Sequence, residues 1–239
     1  MGRYSTQLSS QMAELAGVRA GQRAVDVGCG PGALTAELAG RLGAEAVAGV
    51  DPSESFVAAA RARNLGVRVL QASAEHLPFA DDEFDAALAQ LVVHFMKDPI
   101  AGLREMARVT RVEGVVAACV WDHGGHQGPL SLFWQAAREL DPSVDDESHL
   151  AGAREGHLAE LFAAAGLRDI EEAVLSASLE HATFESWWEP FTGGVGPAGS
   201  LVASLDARDR AELRERCRTL APEPPFEVTA RAWAVRGFA

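Results

Sequence analysis

The sequence predicts an α/β protein: a doubly wound, Rossmann-like, mostly parallel seven-stranded sheet with helices on both faces and a small helical lid or insertion. Three observations carry that expectation. Over residues 23–120, short apolar runs of strand length alternate with amphipathic segments, the pattern of buried parallel strands joined by crossover helices. Between the first apolar run and the helical pattern behind it lies Gly28-Cys29-Gly30-Pro31-Gly32, where the backbone must turn tightly and approach a ligand. Residues 121–225 then break the rhythm, holding four of the five tryptophans and irregular Gly/Pro stretches.

Taken in order, Leu8, Met12 and Leu15 recur at helical spacing and predict a helix over 5–16 that covers the sheet. Strands are expected at Arg23–Val27, Ala46–Val50, Val67–Leu70, Phe84–Gln90 and Val115–Val120. Helices are expected at Ala33–Leu42, at Glu54–Arg63 after Asp51-Pro52-Ser53, and at Ile100–Val109 after Asp98-Pro99, where proline suits a first turn. Arg154–Ala165 reads as a helix that Gly166 ends, followed by a strand from Arg168 to about Ser178. Next come Phe184-Glu185-Ser186-Trp187-Trp188, a Gly-rich turn at Gly193–Gly199 and an amphipathic helix near Asp206–Leu220. Alternation over Phe226–Arg236 predicts the final strand.

Composition excludes several classes. With 239 residues, 48% hydrophobic and 23% charged, the chain can bury a sizeable core and is neither disordered nor fibrous. Lys plus Arg number 21 against 34 Asp plus Glu, a formal net charge of -13. That balance argues against a nucleic-acid backbone partner and favours a cationic or uncharged small molecule. Cys29, Cys119 and Cys217 are widely spaced, so neither a disulfide framework nor a zinc site is indicated. The first residues lack an apolar export region and no stretch is long enough to span a bilayer. A cytoplasmic protein without a membrane partner is the expectation.

The glycine loop also satisfies a loose dinucleotide fingerprint, Gly28-x-Gly30-x-x-Ala33, which keeps a nicotinamide-dependent oxidoreductase in view. Asp26 argues against it, because a carboxylate beside a pyrophosphate is repelled, and more so where the dielectric is low. A ligand with positive charge is welcome there instead. S-adenosylmethionine has an ammonium and a sulfonium, plus a carboxylate suited to backbone N–H groups at a helix start. Asp51 follows the loop by about 20 residues, the spacing at which an acid grips ribose hydroxyls; capping the helix after Pro52 is its other natural role.

Val25-Asp26-Val27-Gly28-Cys29-Gly30-Pro31-Gly32 closely resembles the first motif of class I S-adenosylmethionine-dependent methyltransferases, and Leu77-Pro78-Phe79-Ala80-Asp81-Asp82-Glu83-Phe84-Asp85-Ala86-Ala87 is similar to the loop and fourth strand of their small-molecule, type 11-like branch. The resemblance covers most of residues 1–120. It implies that Tyr4, Asp26, Gly28, Cys29, Gly30, Gly32, Asp51, Pro52, Ser73, Ala74 and Gln90 bind the cofactor. Ser73 stands where the family commonly has an Asp contacting the adenine amino group, leaving the Ala74 N–H to reach the ring. Gln90 corresponds to a position beside the methionine moiety, and Arg3 and Tyr4 to a segment folding over the cofactor. Arg111-Val112-Glu113-Gly114 replaces the family's Pro-Gly-Gly type turn, with Gly114 retained.

On this reading one domain spans 1–239: a cofactor-covering helix at 1–22, a cofactor-binding core at 23–120, substrate-pocket or lid insertions at 121–152 and 180–225, and a final strand at 226–239. Methyl transfer is an in-line displacement, so the protein chiefly positions the reactants and excludes water. Where the acceptor must lose a proton, His94, just beyond the fourth strand, is the candidate base; hydrogen bonding to backbone or packing beside Phe95 is its alternative. Trp121-Asp122-His123-Gly124-Gly125-His126 follows the fifth strand and reads as pocket lining, a metal site lacking further ligands at known spacing. Trp134, Trp187, Trp188, Phe133, Phe184 and Phe191 either line an apolar acceptor pocket or pack as core. The methyl acceptor is a small molecule; a non-catalytic S-adenosylmethionine-binding sensor is the rival reading.

Overall fold

The computed structural model describes residues 2–239, with side chains from Tyr4 onward. Five parallel strands, β1 (Ala24–Val27), β2 (Val47–Asp51), β3 (Arg68–Gln71), β4 (Phe84–Gln90) and β5 (Thr110–Trp121), are followed in the chain by β6 (Arg168–His181) and β7 (Phe226–Phe238). Their order is β3-β2-β1-β4-β5-β7-β6, and β7 runs antiparallel to both of its neighbours. The seven strands expected from the sequence are all present. Every residue of β1 and β2 is buried, because helices cover both faces and leave no side for polar alternation.

Helices α1 (Gly2–Leu15), α2 (Ala33–Leu42) and α3 (Glu54–Arg63) lie on one face, where Leu8, Met12, Leu34, Leu38 and Val57 pack with Leu88 and Trp121. Helices α4 (Pro99–Val109) and α6 (His157–Ala165) cover the other through Leu103, Met106, Leu158 and Phe162. A third core unites α5 (Ser131–Leu140), α7 (Phe184–Trp188), α8 (Gly196–Ser204) and α9 (Ala207–Leu220) into a cap. Among the described residues, no helix is long and apolar enough to cross a membrane.

Four boundaries differ from expectation. Helix α5 was not foreseen, since no side chain caps its start at Leu130. The Gly-rich turn ends early: Gly196 and Pro197 already open α8, proline being tolerated in a first turn. Strand β5 begins at Thr110, so the Arg111–Gly114 segment is a bulge within it, with Glu113 at φ 63° and the register slipping between Phe84 and Ala86. A Cβ on Gly114 would lie 2.8 Å from the Asp85 carbonyl oxygen, which explains why glycine remains there. Strand β6 runs three residues further than predicted, to His181.

As an edge strand, β6 would present unpaired backbone groups, and α1 meets them with two glutamine amides. Gln7 donates to the Ser178 carbonyl at 2.6 Å and accepts from its N–H at 3.0 Å. Gln11 does the same at Ser176, at 2.8 and 3.2 Å. Replacing both glutamines by alanine should destabilise the protein by about 1–2 kcal/mol, since the four bonds are solvent-exposed; urea unfolding measures this, and an unchanged midpoint would show that packing alone holds α1.

Candidate functional site

The site grows from the carboxyl ends of β1 and β4, where the strand order reverses and doubly wound folds bind their ligands. Gly28, Gly30 and Gly32 take φ values of 72°, 52° and 83°. The N–H groups of Gly28 and Cys29 both donate to the Val50 carbonyl at 2.8 Å, tying the loop to β2. A Cβ at Gly28 would stand 2.5 Å from the Val92 methyls, and one at Gly32 would stand 2.2 Å from Asn64 Nδ2. Gly30 is different: its Cβ would meet no atom within 4 Å. The loop therefore leaves open space beside Gly30, and α2 begins behind it with no side-chain cap.

Asp51 holds this loop from β2. It is 6% exposed; Oδ2 accepts from the Gly30 N–H and Oδ1 from the Ser53 N–H, each at 2.9 Å. Capping of α3, the alternative role considered for Asp51, falls to Ser53, whose hydroxyl accepts from the Phe56 N–H. The Pro52 carbonyl accepts from Gln71 Nε2 at 3.0 Å, bracing β3.

Asp26 lies beneath the loop, 1% exposed, and accepts from the Thr35 hydroxyl at 2.6 Å. Burial raises its pKa to about 7, opposed by the Thr35 hydrogen bonds and aided by the neighbouring Asp51 charge. Thr35 was not singled out in the sequence, although its place in the first turn behind the glycines was visible. Cys29 is also buried, and burial together with the Asp26 and Asp51 charges pushes its thiol far above the reactive range.

Around the loop, Ala74 is buried and Ser73 is half-buried. Burial pulls the Glu75 carboxyl upward, but hydrogen bonds, the Ser73 hydroxyl and the Lys97 and Asp98 N–H groups among them, hold it below its ordinary value. The Ser73 hydroxyl is therefore engaged locally. Gln90 donates through Nε2 to the Ser5 carbonyl at 2.9 Å, while its Oε1 is buried without a hydrogen-bond partner. Tyr4 stands edge-on to Trp121, ring centroids 5.9 Å apart, and reaches the Val228 carbonyl. The side chain of Arg3 lies outside the described residues.

Beyond β4, Leu91 adopts φ 61° and leads into a 3-10 turn at Val93–Phe95. His94 there is 8% exposed, its ring 6.0 Å from that of His123, and its Nδ1 is buried without a partner. Burial, then the neighbouring His123, lowers its pKa to about 3. His123 follows β5; burial lowers it to about 4 against the pull of Asp146 and Asp122. Its Nδ1 lies 3.9 Å from Glu147 Oε2, which also accepts from Trp134 Nε1 at 3.1 Å. Burial raises the Glu147 carboxyl despite that bond. Nothing in the Asp145-Asp146-Glu147 run marks Glu147 in the sequence; only folding turns it inward.

His126 diverges from His123, lining an outer cleft of about 340 Å³ with Ser131, Gln135 and Arg138. The six aromatics expected either at a pocket or in a core are buried together in the cap, with Phe133–Phe191 and Trp187–Phe191 centroids 4.8 and 5.0 Å apart.

A family model described as a methyltransferase domain matches residues 25–118. An uncharacterized methyltransferase of Mycobacterium sp. (strain JLS) is 33% identical over 190 residues, covering 77% of this chain and 74% of the relative. The chain belongs to the class I S-adenosylmethionine-dependent methyltransferases. A demethylmenaquinone methyltransferase of Mycobacterium sp. (strain KMS) is 40% identical over 117 residues, 49% of each chain. The crystal structure of the YcgJ protein from Bacillus subtilis shares this fold at a TM-score of 0.63 and 20% identity, covering 99% of this chain and 98% of that one.

Buried Asp26 keeps its proton up to about pH 7, whereas an unfolded chain loses it near the ordinary aspartate value of 3.8. The linked stability is therefore full below about pH 4 and is lost as pH rises through about 7. Asp26→Asn, which retains an acceptor for Thr35, removes that loss. Its stability relative to wild type should rise between pH 5 and pH 8 by roughly 2–4 kcal/mol; thermal melts checked across this range would show a flat difference if Asp26 were ordinary.

Proposed function

We propose that this methyltransferase moves the methyl group of S-adenosylmethionine to a small-molecule acceptor by in-line displacement. The observation that carries the reading is the cradle at Gly30: a left-handed glycine facing open space, with the buried Asp51 carboxylate fixed behind it. Such a cradle fits a ligand that needs backbone contact on one side and an acceptor of ribose hydroxyls on the other.

In this reading Asp51 and Pro52 flank the ribose, and the Gly28–Gly32 backbone with the first turn of α2 takes the methionine carboxylate. Ser73 and Ala74 flank the adenine, and Tyr4 belongs to the helix covering the site. Gln90, whose Oε1 has no protein partner, accepts from the ammonium group. Asp26 and Cys29 support the loop from below, and Asp26 becomes a negative partner for a cation once the bound positive charge draws its proton off. When bound, the cofactor supplies a methyl group on a positively charged sulfur, already activated for displacement. His94 faces the acceptor with an unpartnered Nδ1, kept neutral by its burial. Three buried, free thiols suit a reducing cytoplasm.

Calorimetry with S-adenosylhomocysteine tests the cofactor assignment, and absence of binding would overturn it. Asp51→Ala should weaken that binding by about 1–3 kcal/mol, the scale of a charged hydrogen-bond acceptor; unchanged affinity would confine Asp51 to bracing the loop. Release of S-adenosylhomocysteine during incubation with S-adenosylmethionine and a metabolite extract separates an enzyme from a sensor, which binds without turnover.

A further inference from the structure

The ends of β4 and β5 carry a polar cluster that the cofactor assignment does not use. Glu147 is buried in the cap's rim, and one of its oxygens, Oε2, both accepts from Trp134 Nε1 and faces His123 Nδ1. A neutral imidazole carries a single N–H, and the Glu147 oxygen 3.9 Å from Nδ1, too far for a hydrogen bond, favours through its charge the tautomer with the proton there. Nε2 is then a bare lone pair. It is buried without a protein partner, as is Nδ1 of His94 on the adjacent ring, and the His123 residue is 6% exposed. Buried polar atoms are normally satisfied, so His123 Nε2, as an acceptor, is short of a donor.

The charges nearby restrict which donor enters. Asp122 is buried beside the turn, accepting from the Gly125 N–H at 2.7 Å with Arg231 Nε 3.9 Å from its other oxygen, and Asp146 adjoins Glu147 while paired with Arg138, so each cation here already faces a carboxylate. A carboxylate or phosphate ester brought here would meet like charge and offer the histidines no proton. A neutral hydroxyl or amine supplies what is missing.

Resting on the methyl-transfer reading above, we propose that the acceptor is a neutral molecule presenting an O–H or N–H group to His123 Nε2, with Glu147 as the positioning residue that sets the tautomer of that ring. In the transfer step the acceptor's heteroatom forms its bond to the methyl carbon. The carbon–sulfur bond breaks with its electron pair left on sulfur, and the heteroatom's proton passes to Nε2 and onward to solvent. His94, its ring 6.0 Å away, borders the same region; His123 is the proton acceptor of the two because it alone faces an orienting carboxylate.

The test uses the full chain saturated with S-adenosylhomocysteine and carrying ¹⁵N-labelled histidine, with long-range proton–nitrogen correlations assigned through His123→Asn. His123 is expected to be neutral at pH 7 with its proton on Nδ1. Millimolar phenol and aniline should shift its Nε2 resonance, whereas benzoate and phenyl phosphate should leave it unmoved. Glu147→Gln should move the proton toward Nε2 and abolish the phenol response while leaving S-adenosylhomocysteine affinity within about twofold, a change of under one kcal/mol. Several results would overturn the proposal: a proton on Nε2 in the wild type, no response to either neutral probe, binding of benzoate or phenyl phosphate at His123, or an unchanged tautomer in Glu147→Gln. Failure to bind S-adenosylhomocysteine would instead remove the parent reading.

Discussion

One carboxylate organises the front of this protein. Asp51 ends β2 and takes two backbone N–H groups, from Gly30 on the loop after β1 and from Ser53 at the start of α3. Three chain segments that meet nowhere else in sequence are thereby held in one geometry. With Gly28 and Cys29 bonded to the Val50 carbonyl, the glycine loop has little freedom left, and the left-handed conformation of Gly30 is fixed rather than sampled. Preorganisation of this kind lowers the ordering cost of binding. It also makes Asp51 hard to replace, since any substitute must satisfy two donors before it meets a ligand.

Beneath that arrangement sits a second acid whose position is costly for stability. Asp26 is fully enclosed, with the Thr35 hydroxyl as its side-chain hydrogen-bond partner, and an ionised carboxylate there is poorly solvated. A protein selected for stability alone would place an apolar residue at the end of a central strand. Retaining an acid where the loop approaches its proposed cationic ligand is understandable if binding of positive charge draws the proton off and recovers part of the desolvation penalty. The overall charge of -13 says little about this; two placed carboxylates set the local field.

Much of this was legible because local rules and the global fold agree in the first half. Apolar runs at Arg23–Val27 and Ala46–Val50, prolines at helix starts and glycines at the loop all point to one topology, and β1 to β4 lie within a residue of where the pattern put them. The limits have physical causes. Helix α5 lacks a capping residue, so its start has no sequence signature. Gly196 opens a helix because the following proline is compatible with a first turn, overriding the glycine signal. Asp26 was expected to meet the cofactor, yet its burial and its bond to Thr35 depend on how closely α2 packs, which spacing alone does not specify. Glu147 lies in an acidic run that reads as a solvated turn until α5 presents Trp134 to it.

Trp134 links that carboxylate to the cap. It packs with Phe133 in the third hydrophobic core while its Nε1–H holds Glu147, so the apolar packing of α5, α7 and α9 sets where the carboxylate stands relative to His123. Substitutions among the cap aromatics would therefore reach the β5 end without touching it. This division matters for specificity. The cradle at Gly30 is built from backbone and from strands that must keep their register, and it tolerates little change. The cap is a separate apolar cluster, and one of its residues, Trp134, bonds the group facing the proposed acceptor. Changes in cap packing would consequently shift Glu147 relative to His123 while leaving the Gly30 loop, held by Asp51 and Val50, in place.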